Sequence, residues 1–327
     1  MVAFRDRMRY YILLALIPLG TYAAAGIVTA IGVAWARGRI SRRAANRDAA
    51  GRARVLALAR LLPMAAGAAA AVLFASVYLR FEPRDTTEVP GVLLLTSAFV
   101  TSCLLIAALA RTAQSWRASA KCTALLRLSG RRWQRHDGPE IWMVDTAYPV
   151  AAVTGLFRTR LLLSTRIIDG CTPGELEAVI RHEAAHGRRR DNLVRAIMRC
   201  LPDPLLLLPA GRKLETAWAA AAEEAADDEA AGPQVAARTE LAAALVRVAR
   251  MAEGPPPRWM PALAFYEGTH LEHRVRRLLS AGGGASDATA RMLTVAGLGV
   301  AIGALLFTPT ASRQLHALME LAVRNLP

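Results

Sequence analysis

The chain has 327 residues, of which 54% are hydrophobic and only 20% charged, with a net charge of +15. That length allows about two folding units of roughly 150 residues, and apolar residues gathered into long runs exclude a disordered, collagen-like or coiled-coil protein. Nearly all the positive charge is arginine, since Lys121 and Lys213 are the only lysines. Such charge could serve nucleic-acid binding, but it sits beside the apolar runs, where arginine holds loops in the cytosol. No direct nucleic-acid binding is therefore expected. Cys103, Cys122, Cys171 and Cys200 show no C-x-x-C spacing and read as reduced packing residues.

Four stretches carry no charge: residues 10–36, 61–79, 89–110 and 292–312. Each supplies the roughly 20 residues that cross a bilayer as a helix. The first is too long for the apolar part of a signal peptide and is followed closely by two more, so it reads as an uncleaved span. Residues 37–60, read as a loop, hold eight arginines against Asp48 alone, and residues 111–135 hold seven basic residues and no acid. Residues 80–88 set Arg80 and Arg84 against Glu82, Asp85 and Glu88. The positive-inside rule then puts residues 37–60 and 111–290 in the cytoplasm and both termini outside, although Arg5, Arg7 and Arg9 pull weakly the other way. The expectation is a multi-pass protein of the inner (plasma) membrane with the lipid bilayer as a partner. It has three spans in residues 1–110, a cytosolic domain in 111–290, and a fourth span with a short tail in 291–327.

Within that domain, the basic stretch containing Trp116, Leu125, Leu126, Leu128 and Trp133 suits a helix on anionic lipid or a solvated juxtamembrane helix. Residues 141–145, 150–154 and 161–164 are short β-branched or apolar runs separated by Pro149 and Gly155, and read as strands. Residues 254–257 form a loop, and the glycine run 282–284 reads as a joint before the last span.

Thr172, Pro173 and Glu175 have the form of a capping box with proline at the first helical position, so a helix should start there. Ten residues on, His182-Glu183-Ala184-Ala185-His186 places two imidazoles one turn apart on one face. Both can ligate one Zn2+ ion, with Glu183 beside the open coordination position as general base. A third ligand is expected in the alanine-rich helical segment 222–230. Glu223 and Asp227 share a face there, one suited to the metal and the other to orienting a histidine. Glu224 is the alternative ligand: it has its own aspartate four residues on, and adjacent helical residues point about 100° apart, so only one of the two can face the metal. His270 and His273 are three apart on a basic segment and read as surface residues, as do His136 and His316.

These residues carry a resemblance. His182 to His186 run into Arg189-Arg190-Asp191-Asn192-Leu193, with Gly155-Leu156-Phe157-Arg158 before them and the Glu223 to Asp227 segment after. Together they resemble the integral-membrane metallopeptidases of the BlaR/MecR type, antibiotic-sensing receptors that share the zinc site of HtpX-type membrane proteases. The resemblance spans nearly the whole chain. It implies a mainly α membrane protein of four transmembrane helices, with an α+β zincin-like (gluzincin) cytosolic domain inserted between the third and fourth. It favours Glu223 as the third ligand, with Asp227 orienting a ligand imidazole. Asp203 in Pro202-Asp203-Pro204 stands where the family has asparagine, and residues 271–279 match its arginine-containing closing helix. By the same resemblance Arg274 contacts substrate, although a salt bridge fits it as well. Those receptors continue into an extracellular ligand-binding domain, whereas this sequence ends about fifteen residues after the fourth run. The β-lactam sensor is therefore expected to be missing.

The expected activity is zinc-dependent endopeptidase action on a cytosolic protein, which the resemblance makes a transcriptional repressor or the protein itself. The alternative is a membrane signalling scaffold with a structural zinc site and no peptidase activity. An intact Glu183 argues against the scaffold, since a structural site has no use for a base there.

Overall fold

Lipid cannot hydrogen-bond a polypeptide backbone, so a charge-free run that crosses a bilayer meets its own backbone needs as a helix. In the computed structural model, which describes residues 2–84, 88–133, 140–252, 271–280, 313, 314 and 317, the first two runs lie inside longer helices and the third is helical from Val92 onward. These are α1 (Val2–Ala45), α2 (Ala49–Phe81) and α3 (Val92–Ser129). All three are long and apolar enough to cross a membrane. Large apolar side chains such as Val28, Trp35, Phe99 and Ile106 stay exposed on their outer faces, as lipid-facing residues do. The fourth run at 292–312, the loop 254–257, the glycine joint 282–284, and His136, His270 and His316 lie outside the described residues.

The arginine-rich segment 37–60 is not a loop. α1 continues to Ala45 and α2 starts at Ala49, so residues 46–48 alone make the connection. Asp48 caps α2 by accepting a hydrogen bond from the Gly51 N–H at 3.2 Å. The physical reason is propensity: the arginines alternate with alanines and leucines, all strong helix formers. α3 likewise passes without a break from its apolar run through residues 111–129. Gly67 lets the hairpin close, since a Cβ there would lie 2.9 Å from the Tyr22 carbonyl oxygen on α1. Thr101 on α3 donates to the Leu19 carbonyl at 2.6 Å.

The rest of the domain is built on a four-stranded sheet of order β1-β2-β4-β3: β1 (Arg131–Trp133), β2 (Ile141–Val144), β3 (Ala151–Thr154) and β4 (Arg160–Ser164). β2 and β4 are parallel, with Ile141 opposite Leu161, and the outer pairs are antiparallel. β1 has no signature in the sequence because it is three residues long with both arginines exposed. Among the described residues α4 (Thr165–Gly170), α5 (Pro173–Arg189), α6 (Asp191–Cys200), α7 (Pro209–Ala231), α8 (Val235–Met251) and α9 (Leu271–Leu279) follow. A 3-10 turn, Pro204–Leu207, lies between α6 and α7.

Two apolar cores position the site. One packs the sheet against α5 and α8 through Ile141, Leu161, Leu163, Val179, Leu241 and Leu245. The other joins Val33 of α1 and Leu56 of α2 to Met198 of α6 and to Leu214, Trp218 and Ala222 of α7. Burying each large side chain of this kind contributes about 1.5–3 kcal/mol. The ends of α1 and α2 that carry residues 37–60 therefore share a core with α7.

Asp203 explains how the 3-10 turn is fixed. Its carboxylate is fully buried and accepts from both Arg60 guanidinium nitrogens, with Arg60 Nη1 at 2.8 Å. It also accepts from the Leu205 N–H at 3.0 Å, capping the turn. Tyr22 of α1 donates its hydroxyl to the Pro202 carbonyl beside it. Arg60 is thus a buried structural partner as well as a charge at the end of an apolar run.

Candidate metal centre

α5 starts where its capping box directs. The Glu175 carboxylate accepts from the Thr172 N–H at 2.8 Å, and the Thr172 hydroxyl accepts from the Glu175 N–H at 3.4 Å. The helix stops at Arg190, the only described non-glycine residue with a left-handed backbone (φ 56°). Between these ends, His182 and His186 present edge-to-face rings with their Nε2 atoms 3.2 Å apart. α7 packs across α5, with the small Ala225 and Ala226 buried among its residues. It brings a Glu223 oxygen to 3.5 Å from each Nε2. One ligand atom from each of His182, His186 and Glu223 lies within 4.8 Å of the others.

The two histidines are held from behind by carboxylates. Asp227 Oδ1 is 3.0 Å from His182 Nδ1, and Asp191 Oδ2 is 2.8 Å from His186 Nδ1. A neutral imidazole that donates through Nδ1 turns an Nε2 lone pair forward. In that tautomer the centre has two lone pairs and a carboxylate converging on one point, a donor set suited to a metal cation. Zinc bonds histidine at about 2.0–2.1 Å in tetrahedral sites, which separates two nitrogen ligands by about 3.3 Å. The observed Nε2 separation of 3.2 Å fits that requirement.

Arg274 of α9 closes the back of the site. It donates through Nε and Nη2 to the two Asp227 oxygens at 2.8 and 2.7 Å, and Nη1 lies 3.0 Å from Glu223 Oε2. Glu224 points elsewhere, to Arg52 of α2 at 2.5 Å, with Arg277 of α9 and the exposed His273 each at 3.6 Å. Of the two adjacent acids, Glu223 is therefore the one α7 turns toward the histidines. The ion-pair reading of Arg274 is realised in this geometry.

Electrostatics follow from burial and these partners. Burial alone would lower the His186 pKa, but Glu223 and Asp191 outweigh it and push the pKa up to about 10. His182 moves up likewise, against its burial, through Asp227 and Glu223. The Asp227 carboxyl, which burial would raise, is held at about 2 by Arg274 and His182. Glu223 is held well below the usual range by His186 and Arg274 against the effect of its burial. The site thus draws positive charge strongly. Glu183 behaves differently: burial pushes its carboxyl up, opposed by His182 and His186. A base needs its proton affinity moved in that direction to work near neutral pH. Burial also pushes the Cys171 thiol up to about 11, which leaves it protonated and inert.

Asp191 is the site residue that sequence reasoning missed. It lies five residues after His186, beyond the left-handed Arg190, so helical periodicity does not connect the two. Its neighbour Asn192 donates to the Val153 and Gly155 carbonyls, at 2.8 and 3.3 Å, and ties α6 to the outer strand β3.

The structure thus joins three helices long and apolar enough to cross a membrane to a His-His-Glu group that could hold a metal, beside a buried glutamate. Residues 123–253 match the family model of Peptidase family M48. The match supports a metallopeptidase, a metal-dependent hydrolase, and its bounds contain the sheet, α5 and the Glu223 segment of α7. Comparison with curated proteins and with solved structures gave no match.

Proposed function

We propose that the chain is a membrane-embedded zinc endopeptidase of the BlaR/MecR type that cleaves a cytosolic protein, either a transcriptional repressor or a copy of itself. The observation that carries this reading is the convergence of His182, His186 and Glu223 with Glu183 buried beside it. These three residues would hold the metal. When bound, zinc polarises a scissile carbonyl and acidifies water.

The chain's own groups do the rest. Glu183 takes a proton from the attacking water and delivers it to the departing amine, so the same carboxylate is base and then acid. Asp227 and Asp191 hold the two imidazoles in the tautomer that faces Nε2 forward. Arg274 keeps Asp227 ionised and steadies Glu223, which is a positioning role. β3 is the edge of the sheet and offers main-chain groups to an extended substrate. Asn192 already occupies the Val153 carbonyl, so part of that edge is taken.

Glu183→Gln tests the reading. The variant should keep its zinc and lose cleavage, so a cytosolic fragment seen with wild type should vanish in cells carrying the variant. Identical cytosolic proteomes, with zinc bound in both, would favour a signalling scaffold instead.

A further inference from the structure

A second cavity, of about 910 Å3, opens between α3, the 3-10 turn and the first turns of α7. It is separate from the metal centre, since none of His182, Glu183, His186 and Glu223 lines it. Its volume falls in the range of sites that enclose small molecules, about 300–1,000 Å3.

Its lining has two characters. Arg60, Arg111, Arg199, Arg212 and Lys213 supply positive charge, and Glu215, the only acid in the lining, lies 3.8 Å from Arg60 and 4.0 Å from Arg199. Among the described residues no hydrogen bond or ion pair of Arg212 or Lys213 is found, and both are exposed. Leu206 and Leu207 of the 3-10 turn also line the cavity, yet are 48% and 55% exposed. Leucines left half open to solvent on a tight turn call for an apolar partner.

Position supplies the third observation. Arg111 directly follows the charge-free run 89–110, and Arg60, which also lines the cavity, directly precedes the run 61–79. The cavity therefore lies at the level where two membrane-crossing runs end, which is the depth of lipid headgroups. A free phosphate would satisfy the cations and leave the leucines bare, whereas a neutral lipid would do the reverse.

We infer that this cavity is a binding site for one anionic phospholipid, its phosphate among Arg199, Arg212 and Lys213 and its acyl chains along Leu206 and Leu207. The full-length protein in nanodiscs of phosphatidylcholine, titrated with phosphatidylglycerol and followed by native mass spectrometry, tests the assignment. Wild type should retain one phosphatidylglycerol in preference to phosphatidylcholine. Arg212→Gln/Lys213→Gln should weaken that retention on the order of tenfold or more, the effect of removing two headgroup-level cations. The charge-matched variant Arg238→Gln/Arg276→Gln should retain it as wild type does. Arg199→Gln gives an independent reading should the double variant fail to fold, and it too should weaken retention. Equal retention of the two lipids by wild type, or unchanged retention in the cavity variants, would overturn the proposal. So would displacement of the lipid by inorganic phosphate at millimolar concentration, which would make a free anion the occupant.

Discussion

Two buried arginine–aspartate forks can be compared directly, Arg274 with Asp227 behind the candidate metal centre and Arg60 with Asp203 where α2 meets the 3-10 turn. Both aspartates are fully buried, and both accept two guanidinium hydrogen bonds. They differ in what else the carboxylate holds. Asp227 also faces His182 Nδ1, so its charge reaches the ligand set, whereas Asp203 caps its own turn through the Leu205 N–H. The same ion pair thus serves chemistry in one place and chain geometry in the other. The arginine at each site pairs a buried carboxylate, and the third partner decides what that pair does.

The largest effect should come from breaking the structural fork. Arg60→Met strips buried Asp203 of its two close guanidinium hydrogen bonds and leaves only Arg111, at 3.9 Å, so it should destabilise the protein by about 3 kcal/mol, read as a lowered thermal midpoint in detergent. The folded fraction should keep its zinc. Adding Asp203→Asn should recover part of the loss, because the amide oxygen still accepts from Leu205 N–H. A midpoint unchanged by Arg60→Met would show that the fork is dispensable.

The catalytic fork should answer in metal content instead. Glu223→Ala should remove most of the zinc per purified protein, Asp227→Asn should weaken zinc affinity about 10–100-fold, and Glu224→Ala should leave zinc near the wild-type level. Loss of zinc in the Glu224 variant with retention in the Glu223 variant would reverse the assignment. Asp191→Asn should resemble Asp227→Asn if the two aspartates do the same work for the two histidines.

The smallest effect belongs to the cap of α5. Burial would raise the Glu175 pKa, but the Thr172 N–H and Arg247 hold it below the usual value. A depressed carboxyl adds stability above its unfolded pKa and loses it as the pH falls through the folded one. Glu175→Gln should therefore cost at most about 1 kcal/mol at neutral pH. The gap to wild type should close below about pH 4. A gap that persists in acid would mean the carboxylate charge is not what stabilises the cap.

The legible and illegible parts of this molecule separate by range. His182, Glu183 and His186 could be read because helical periodicity alone puts them on one turn, and Thr172 with Glu175 marked that helix's start. Neither the pairing of Asp203 with Arg60 nor that of Glu224 with Arg52 could be read, because each joins elements more than a hundred residues apart. Asp191 was hidden by a backbone reversal at Arg190. The arginines of residues 37–60 resembled a loop because charge patterning reports sidedness, while helix continuity depends on the alanines and leucines between them.

The Arg52–Glu224 contact sets a height. Arg52 lies nine residues before Leu61, where the second apolar run begins, and its partner is adjacent to Glu223. At 1.5 Å per helical residue, that is about 13–14 Å along α2. With the run 61–79 crossing the bilayer, as proposed, the His182, His186 and Glu223 group would be carried on a fixed stalk a little beyond the headgroup layer. An extended chain covers the same distance in about four residues. A membrane-anchored substrate would accordingly have to present its scissile bond some four residues or more out from the bilayer, and bonds closer in would be out of reach.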